Sequence, residues 1–251
     1  MFPFFLATHL TSLAYASSGP IWHRPGRLNT APISAQLGVA LAFGQIPPYA
    51  LGQRDLASSE LSLVWRPAPP VQVSLRWGVY GARWPDGTQV VGPGDLHLST
   101  QAQLHKFKER GPDLWLAWDL KLPNAEQPIG TNETDTQLLL WARQKQGPWN
   151  GELGVGIWIA GHPDQLAAQD DALLILGRVS RATGPGFALI CADLRLRSAR
   201  NPTSAQTGVG WEQPIGEHVH LGASVDLGLT DAAADQAVRF WVALVPRSSG
   251  T

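Results

Sequence analysis

The stretch Leu114-Trp115-Leu116-Ala117-Trp118-Asp119-Leu120-Lys121-Leu122 places Leu114, Leu116, Trp118, Leu120 and Leu122 on one face and Trp115, Ala117, Asp119 and Lys121 on the other. A period of two marks a strand whose faces meet different surroundings. Just upstream, Leu96, Leu98, Thr100, Ala102 and Leu104 alternate with His97, Ser99, Gln101, Gln103 and His105. The pattern recurs at Ala35 to Phe43, Leu61 to Trp65, Val71 to Val79, Leu153 to Ile159 and Val219 to Leu227. Less regular strands are predicted at about 135–146, 172–181, 186–197, 204–213 and 237–246. Twelve strands result, with no helical pattern between them.

The predicted connections fall at 44–58, 67–70, 83–94, 108–113, 124–134, 147–150, 162–171, 182–185, 198–203, 214–217 and 229–236, and long and short ones alternate throughout. In an up-and-down antiparallel sheet every second connection lies at the same end. One end therefore carries tight turns and the other longer loops. With an even strand number, that asymmetry predicts an all-β fold, a single up-and-down antiparallel transmembrane β-barrel of about twelve strands.

In hydrocarbon an unpaired strand edge costs several kcal/mol per exposed backbone group, so a spanning sheet must close on itself. Strands of ten to twelve residues suffice for a tilted crossing, which needs about 9 to 11. Trp65, Trp77, Trp84, Trp141, Trp149, Trp211 and Trp241 fall at or near predicted strand ends, where an aromatic girdle would sit; Trp118 and Trp158 fall mid-strand. The competing fold is a secreted water-soluble barrel or sandwich with its apolar faces turned inward. Periodicity alone does not fix which way a face points. The second face decides for the membrane barrel, because it gathers Arg66 and Arg76, His97 and Asp119, Lys121 and Arg143, Glu152 and Arg178 among Gly, Ser and Gln.

Composition narrows the function classes. Only 16% of the 251 residues are charged while 44% are hydrophobic, against about a quarter charged in a usual soluble domain. A formal net charge of -1 without a Lys/Arg cluster excludes the electrostatic footprint of a nucleic-acid binder. Cys191 is the only cysteine, so no intrachain disulfide forms. Residues 1–16 read as an export signal peptide ending in Ala14-Tyr15-Ala16, without the usual basic start. Residues 17–33 then form a periplasmic N-terminal segment, 34–246 the barrel and 247–251 a C-terminal tail.

Gly94-Asp95-Leu96, Leu120-Lys121-Leu122-Pro123 and Ile129-Gly130-Thr131-Asn132-Glu133-Thr134-Asp135, with Gly228-Leu229-Thr230-Asp231 and Asp235 near the end, resemble the "GDL … LKLPTG … GTGxTD" and "GLTD … D" patterns of the phenol meta-pathway (MetA-type) outer-membrane transporter family. The resemblance covers residues 94 to 246, Asn132 replacing that family's second Gly. It implies a twelve-stranded barrel passing small, often aromatic or hydrophobic, solutes.

The residues expected to line the lumen and set its selectivity are Arg76, His97, His105, Asp119, Lys121, Asp135, Arg143, Glu152, Arg178, Asp193, Arg195, His220, Asp226 and Arg239. Twelve strands lie between a barrel just filled by side chains and one holding an aqueous channel, so these charges either line a narrow pore or plug it with ion pairs. A plugged lumen should show few lone charges, since buried pairs need full hydrogen bonding to offset desolvation.

No Gly-x-Ser-x-Gly, Walker or Gly-x-Gly-x-x-Gly motif is present. Ser99 with His97 or His105, and Ser224 with His220, share a face, but a nucleophile and its base must approach to about 2.6–3.2 Å. His218 and His220 are two apart, and Asp170, Asp171, Glu133 and Asp135 are loop carboxylates able to meet a divalent cation; polar fill and solvated charge are the commoner roles. The expectation is therefore a non-enzyme with no catalytic residue, metal or cofactor. Its location is the bacterial outer membrane. Its partners are membrane lipid, a small-molecule solute and the outer-membrane assembly machinery, with no nucleic acid. The alternative is a non-transporting envelope-structural or surface-interaction barrel that binds through its long loops.

Overall fold

The computed structural model describes residues 33–43, 55–68, 70–83, 87–107, 111–124, 133–161, 171–184, 186–197, 203–216, 218–230 and 236–244. The strands are β1 Ile33–Phe43, β2 Asp55–Ala68, β3 Val71–Arg83, β4 Gln89–Pro93, β5 Leu96–His105, β6 Asp113–Leu122 and β7 Asp135–Gln146. They continue with β8 Trp149–Ile159, β9 Ala172–Thr183, β10 Gly186–Arg197, β11 Ser204–Ile215, β12 Val219–Gly228 and β13 Gln236–Leu244. The expected signal peptide, residues 17–32 of the expected N-terminal segment and the tail lie outside the described residues, as do most residues of the long loops; Ile33, the last residue of that segment, opens β1 instead.

Every pairing is antiparallel and follows chain order. β1 pairs with β13 on one side and β2 on the other, and β2 pairs with β3. The ladders therefore return to their start, and no crossing strand is left with an open edge. The twelve predicted crossings are found. β4 is an addition, in a region the sequence reads as a loop at 83–94: it pairs with Val79 to Arg83 of β3, while β5 pairs with Val71 to Arg76 of the same strand. Together β4 and β5 are one broken strand. Its recognition shortens the connection to 84–88, less than the 106–112 connection at the other end, so the alternation of loop lengths fails at this one place.

The break has a physical cause. A Cβ at Gly94 would lie 1.7 Å from Tyr80 Cε2, so only glycine lets the Tyr80 ring fold flat there. Gly94 N donates to Gly78 O at 2.8 Å, and the Asn124 carboxamide links the two segments, its Oδ1 accepting from Leu96 N and its Nδ2 donating to Gly94 O at 3.1 Å. At the opposite end Gly147 and Gly184 take φ of 56° and 60°, the left-handed backbone that two-residue hairpins require.

The faces sort as the membrane-barrel reading requires. Leu116 is 37% exposed and Trp118 43%, while Asp119 between them and Leu120 is 2% exposed and Lys121 2%. Large apolar side chains, among them Leu61, Leu75, Val155, Ile157, Val209, Val225 and Phe240, cover the outside. Apolar residues are not confined there. Leu139, Trp141, Trp158, Leu174 and Leu176 turn inward and pack with Ala117, Ala160 and Ala172 into a buried cluster flanked by Trp115. An all-polar bore is thus corrected to a mixed one, in which β6–β9 carry this apolar cluster beside buried charges such as Asp119, Lys121, Glu152 and Arg178. Trp141 and Trp241 face inward at 4% and 6% exposure, so they leave the expected girdle; Trp65 and Trp149 remain outward near the turn end.

Candidate functional site: the lumen

Alternation aims every second side chain at the bore, and the ladder registers bring opposite charges face to face. Glu152 stands directly across from Arg178, and Arg178 Nη2 lies 2.8 Å from Glu152 Oε2. Lys121 stands across from Asp135, with Nζ 2.9 Å from Oδ2, and lies 3.6 Å from Asp95 Oδ2. Arg239 Nη1 approaches Asp226 Oδ2 at 3.1 Å, Arg195 Nη2 approaches Asp193 Oδ2 at 3.3 Å, and His220 Nδ1 meets Glu212 Oε1 at 3.1 Å. His97 Nδ1 lies 3.3 Å from Asp119 Oδ1, and Ser99 Oγ donates to Asp119 Oδ2.

These pairs belong to an ion-paired lumen wall. The side chains lie in low dielectric, where a charge stripped of water is tolerated only beside its counter-charge. Tyr80 Oη donates to Glu60 Oε1 at 2.7 Å, and Gln206 Nε2 approaches Asp193 Oδ2 at 3.5 Å. Cys191 is buried in the same wall, Sγ 3.7 Å from Asp226 Oδ1.

Two arginines close the apolar cluster at its ends by cation–π contact. At the loop end the Arg195 guanidinium lies 5.6 Å from the Trp158 ring centre. At the turn end the Arg143 guanidinium lies 4.9 Å from Trp115 and 5.8 Å from Trp141.

Of the fourteen residues named from sequence, Arg76, His97, Asp119, Lys121, Asp135, Glu152, Arg178, Asp193, Arg195, His220, Asp226 and Arg239 are buried on the inner face, and Arg143 is half-buried there. His105 departs. A register shift between Gln103 and His105 carries it past a bulge, where it is exposed and stacks edge-on against Phe107 at 4.4 Å. The sequence reading missed Asp95, Glu60 and Glu212, which complete ion pairs and hydrogen bonds. Asp95 lay in view within Gly94-Asp95-Leu96, one residue ahead of a strand start. Glu212 follows Gln206, Gly208 and Gly210 on an inner face that the glycines make hard to read.

The candidate nucleophile pairs resolve by geometry. Ser99 and His97 both bond to Asp119, so the carboxylate stands between hydroxyl and imidazole. Ser224 Oγ approaches Asp226 Oδ2 at 3.5 Å and His220 is bonded to Glu212. His218 is exposed ahead of β12 while His220 is buried, so the two do not converge. Asp171 Oδ1 accepts from Ala160 N at 3.3 Å and Asp135 is engaged by Lys121; Asp170 lies outside the described residues. Among the described residues no three His, Cys, Asp or Glu side chains gather into a metal cage.

No protein-family model matches the chain, and no curated protein matches it. Solved structures do. A KdgM porin superposes with a TM-score of 0.59 at 8% identity, covering 85% of this chain and 99% of the porin. A NanC porin gives 0.59 at 6% identity over 86% and 99% of the two chains. The outer membrane phospholipase A from Escherichia coli gives 0.50 at 12% identity over 92% and 97%. At such identities the likeness shows the fold alone: the chain has the architecture of outer-membrane, porin-like β-barrels.

Proposed function

We propose that the chain is an outer-membrane barrel that lets small solutes cross along the polar side of its lumen. The observation behind this reading is the inversion of a soluble protein's arrangement: Leu138 and Leu140 are 44% and 49% exposed, whereas Asp119, Lys121 and Arg195 are each 2% exposed. The outer face suits lipid hydrocarbon. The tight turns then lie on the periplasmic side, and insertion depends on the outer-membrane assembly machinery. The resemblance to the phenol meta-pathway family points to small aromatic or hydrophobic solutes, and the half-buried indole of Trp115 on the inner wall supports that class.

A catalytic role is not part of this reading. The phospholipase shares the fold, but here Asp119 occupies the place between Ser99 and His97 that a shared proton would need to cross.

One observation favours a second reading, a non-transporting envelope barrel that works through its loops. Inner-wall side chains such as Leu139, Leu174, Asp119 and Arg195 are so fully buried that they occupy much of the bore. Reconstitution separates the two. Single-channel steps in planar bilayers, or uptake of small solutes by loaded liposomes, are expected for passage. Neither signal from correctly folded protein would leave the structural role.

A further inference from the structure

Glu152 on β8 stands between two arginines, Arg143 across one ladder and Arg178 across the other. Its carboxylate hydrogen-bonds only one of them. Arg178 Nη2 takes Oε2 at 2.8 Å, and Asn150 Nδ2 reaches Oε1 at 3.3 Å. Among the described residues Arg143 makes no ion pair: its Nη2 donates to the neutral carboxamide of Gln101 at 2.9 Å, and its guanidinium rests on Trp115 and Trp141. Three donors here, Arg143 Nε and Arg178 Nε and Nη1, are buried without an acceptor. The Arg178 side chain is only 8% exposed.

The charges around this point do not cancel. Arg143, Arg178 and Lys145 face Glu152 and Asp113, the latter directly across from Arg143 and making no ion pair among the described residues. Among the described residues one positive charge is left over, together with donors that lack acceptors. Buried N–H groups demand acceptors, and a guanidinium is matched best by a planar oxyanion that takes two parallel bonds. The bond that Arg143 now gives to neutral Gln101 is the weaker kind that a carboxylate displaces. Arg143, Trp115 and Gln101 are only half-buried, and Arg143 stands four residues before Gly147 of the tight turn, so the point lies in the turn-side half of the barrel.

We propose that Arg143 and Arg178, with the indole of Trp115 beside them, form a carboxylate-binding site in the turn-side half of the lumen, taking small organic acids with an aromatic or apolar body. Its place in selecting solutes rests on the passage reading above; its existence as a binding site does not. Binding follows from the guanidinium donors that Glu152 leaves without an acceptor, and the indole adds preference for a flat hydrocarbon body over a bare anion.

The test is calorimetric titration of the folded full-length protein in detergent micelles with benzoate, acetate and benzamide, the uncharged isostere of benzoate. Saturable one-to-one binding of benzoate is expected, with benzamide at least thirtyfold weaker. Arg143→Gln should weaken benzoate at least tenfold, and Trp115→Ala should weaken benzoate while leaving acetate unchanged. If Arg143→Gln does not fold, judged by heat-dependent gel mobility, Arg143→Lys serves in its place, keeping the charge but losing the fork and weakening benzoate several-fold. Equal binding of benzoate and benzamide, no binding of either, or an unaltered benzoate affinity in the Arg143 variants overturns the site. Bilayer recordings on the same preparation separate the two claims: benzoate binding without conductance retires passage and leaves the site standing.

Discussion

Lys121 joins three strand segments at one point: it faces Asp135 directly across the β6–β7 ladder at 2.9 Å and reaches Asp95, at the β4–β5 break, at 3.6 Å. Asp135 is held from its other oxygen by Gly161 N at 2.8 Å. One cation thus stands between two carboxylates beside the long loops.

Removing that cation takes the ammonium away from two buried acids. Lys121→Met should destabilise the barrel by about 3–5 kcal/mol, the range for breaking a buried pair from one side. Urea unfolding in phospholipid vesicles, followed by tryptophan fluorescence, measures it. A loss below about 1 kcal/mol, the size of an exposed pair, would mean that water reaches these carboxylates.

Leu139 and Leu140 are neighbours in sequence at 1% and 49% exposure. In a background with Cys191 replaced by Ala, spin labels at Cys substitutions of 138 and 140 should collide freely with oxygen dissolved in lipid. Labels at 139 and 141 should not. The opposite phase would place the apolar side of β7 away from the bilayer.

Glycines divide by what stands over them. A Cβ on Gly222 would come within 2.0 Å of Trp241, so Gly222→Ala must push that buried indole aside, at about 1–3 kcal/mol. A Cβ on Gly151 meets nothing within 4 Å, and Gly151→Ala should shift the unfolding midpoint little or slightly upward. Equal losses at both sites would show that Trp241 does not rest on Gly222.

Ser99 donates its proton to Asp119 rather than to His97. A fluorophosphonate probe, which marks activated serines, should therefore leave the folded protein unlabelled. Labelling that Ser99→Ala abolishes would reveal a conformation in which imidazole and hydroxyl meet.

The crossings were legible because most strands keep one face polar, as in Leu114 to Leu122, where a period of two survives every substitution the lumen demands. The apolar cluster was not, because Leu138-Leu139-Leu140-Trp141 and Leu173-Leu174-Ile175-Leu176 are apolar on both faces, and a continuous run carries no phase. β4 was hidden by Gly92-Pro93-Gly94, which reads as turn chemistry although Pro93 ends a strand. The fourteen expected lumen residues depended on phase alone, so His105 was lost where a bulge shifts it. The partners Asp95 and Glu212 come from elements whose pairing only the folded ladders reveal.

Along β6–β9 the inner wall sets indole and leucine beside the Lys121–Asp135 and Glu152–Arg178 pairs. A solute passing this stretch would brush hydrocarbon and charge on the same flank. The room left inside is then set by side chains such as Leu139 and Leu174 as much as by the number of strands.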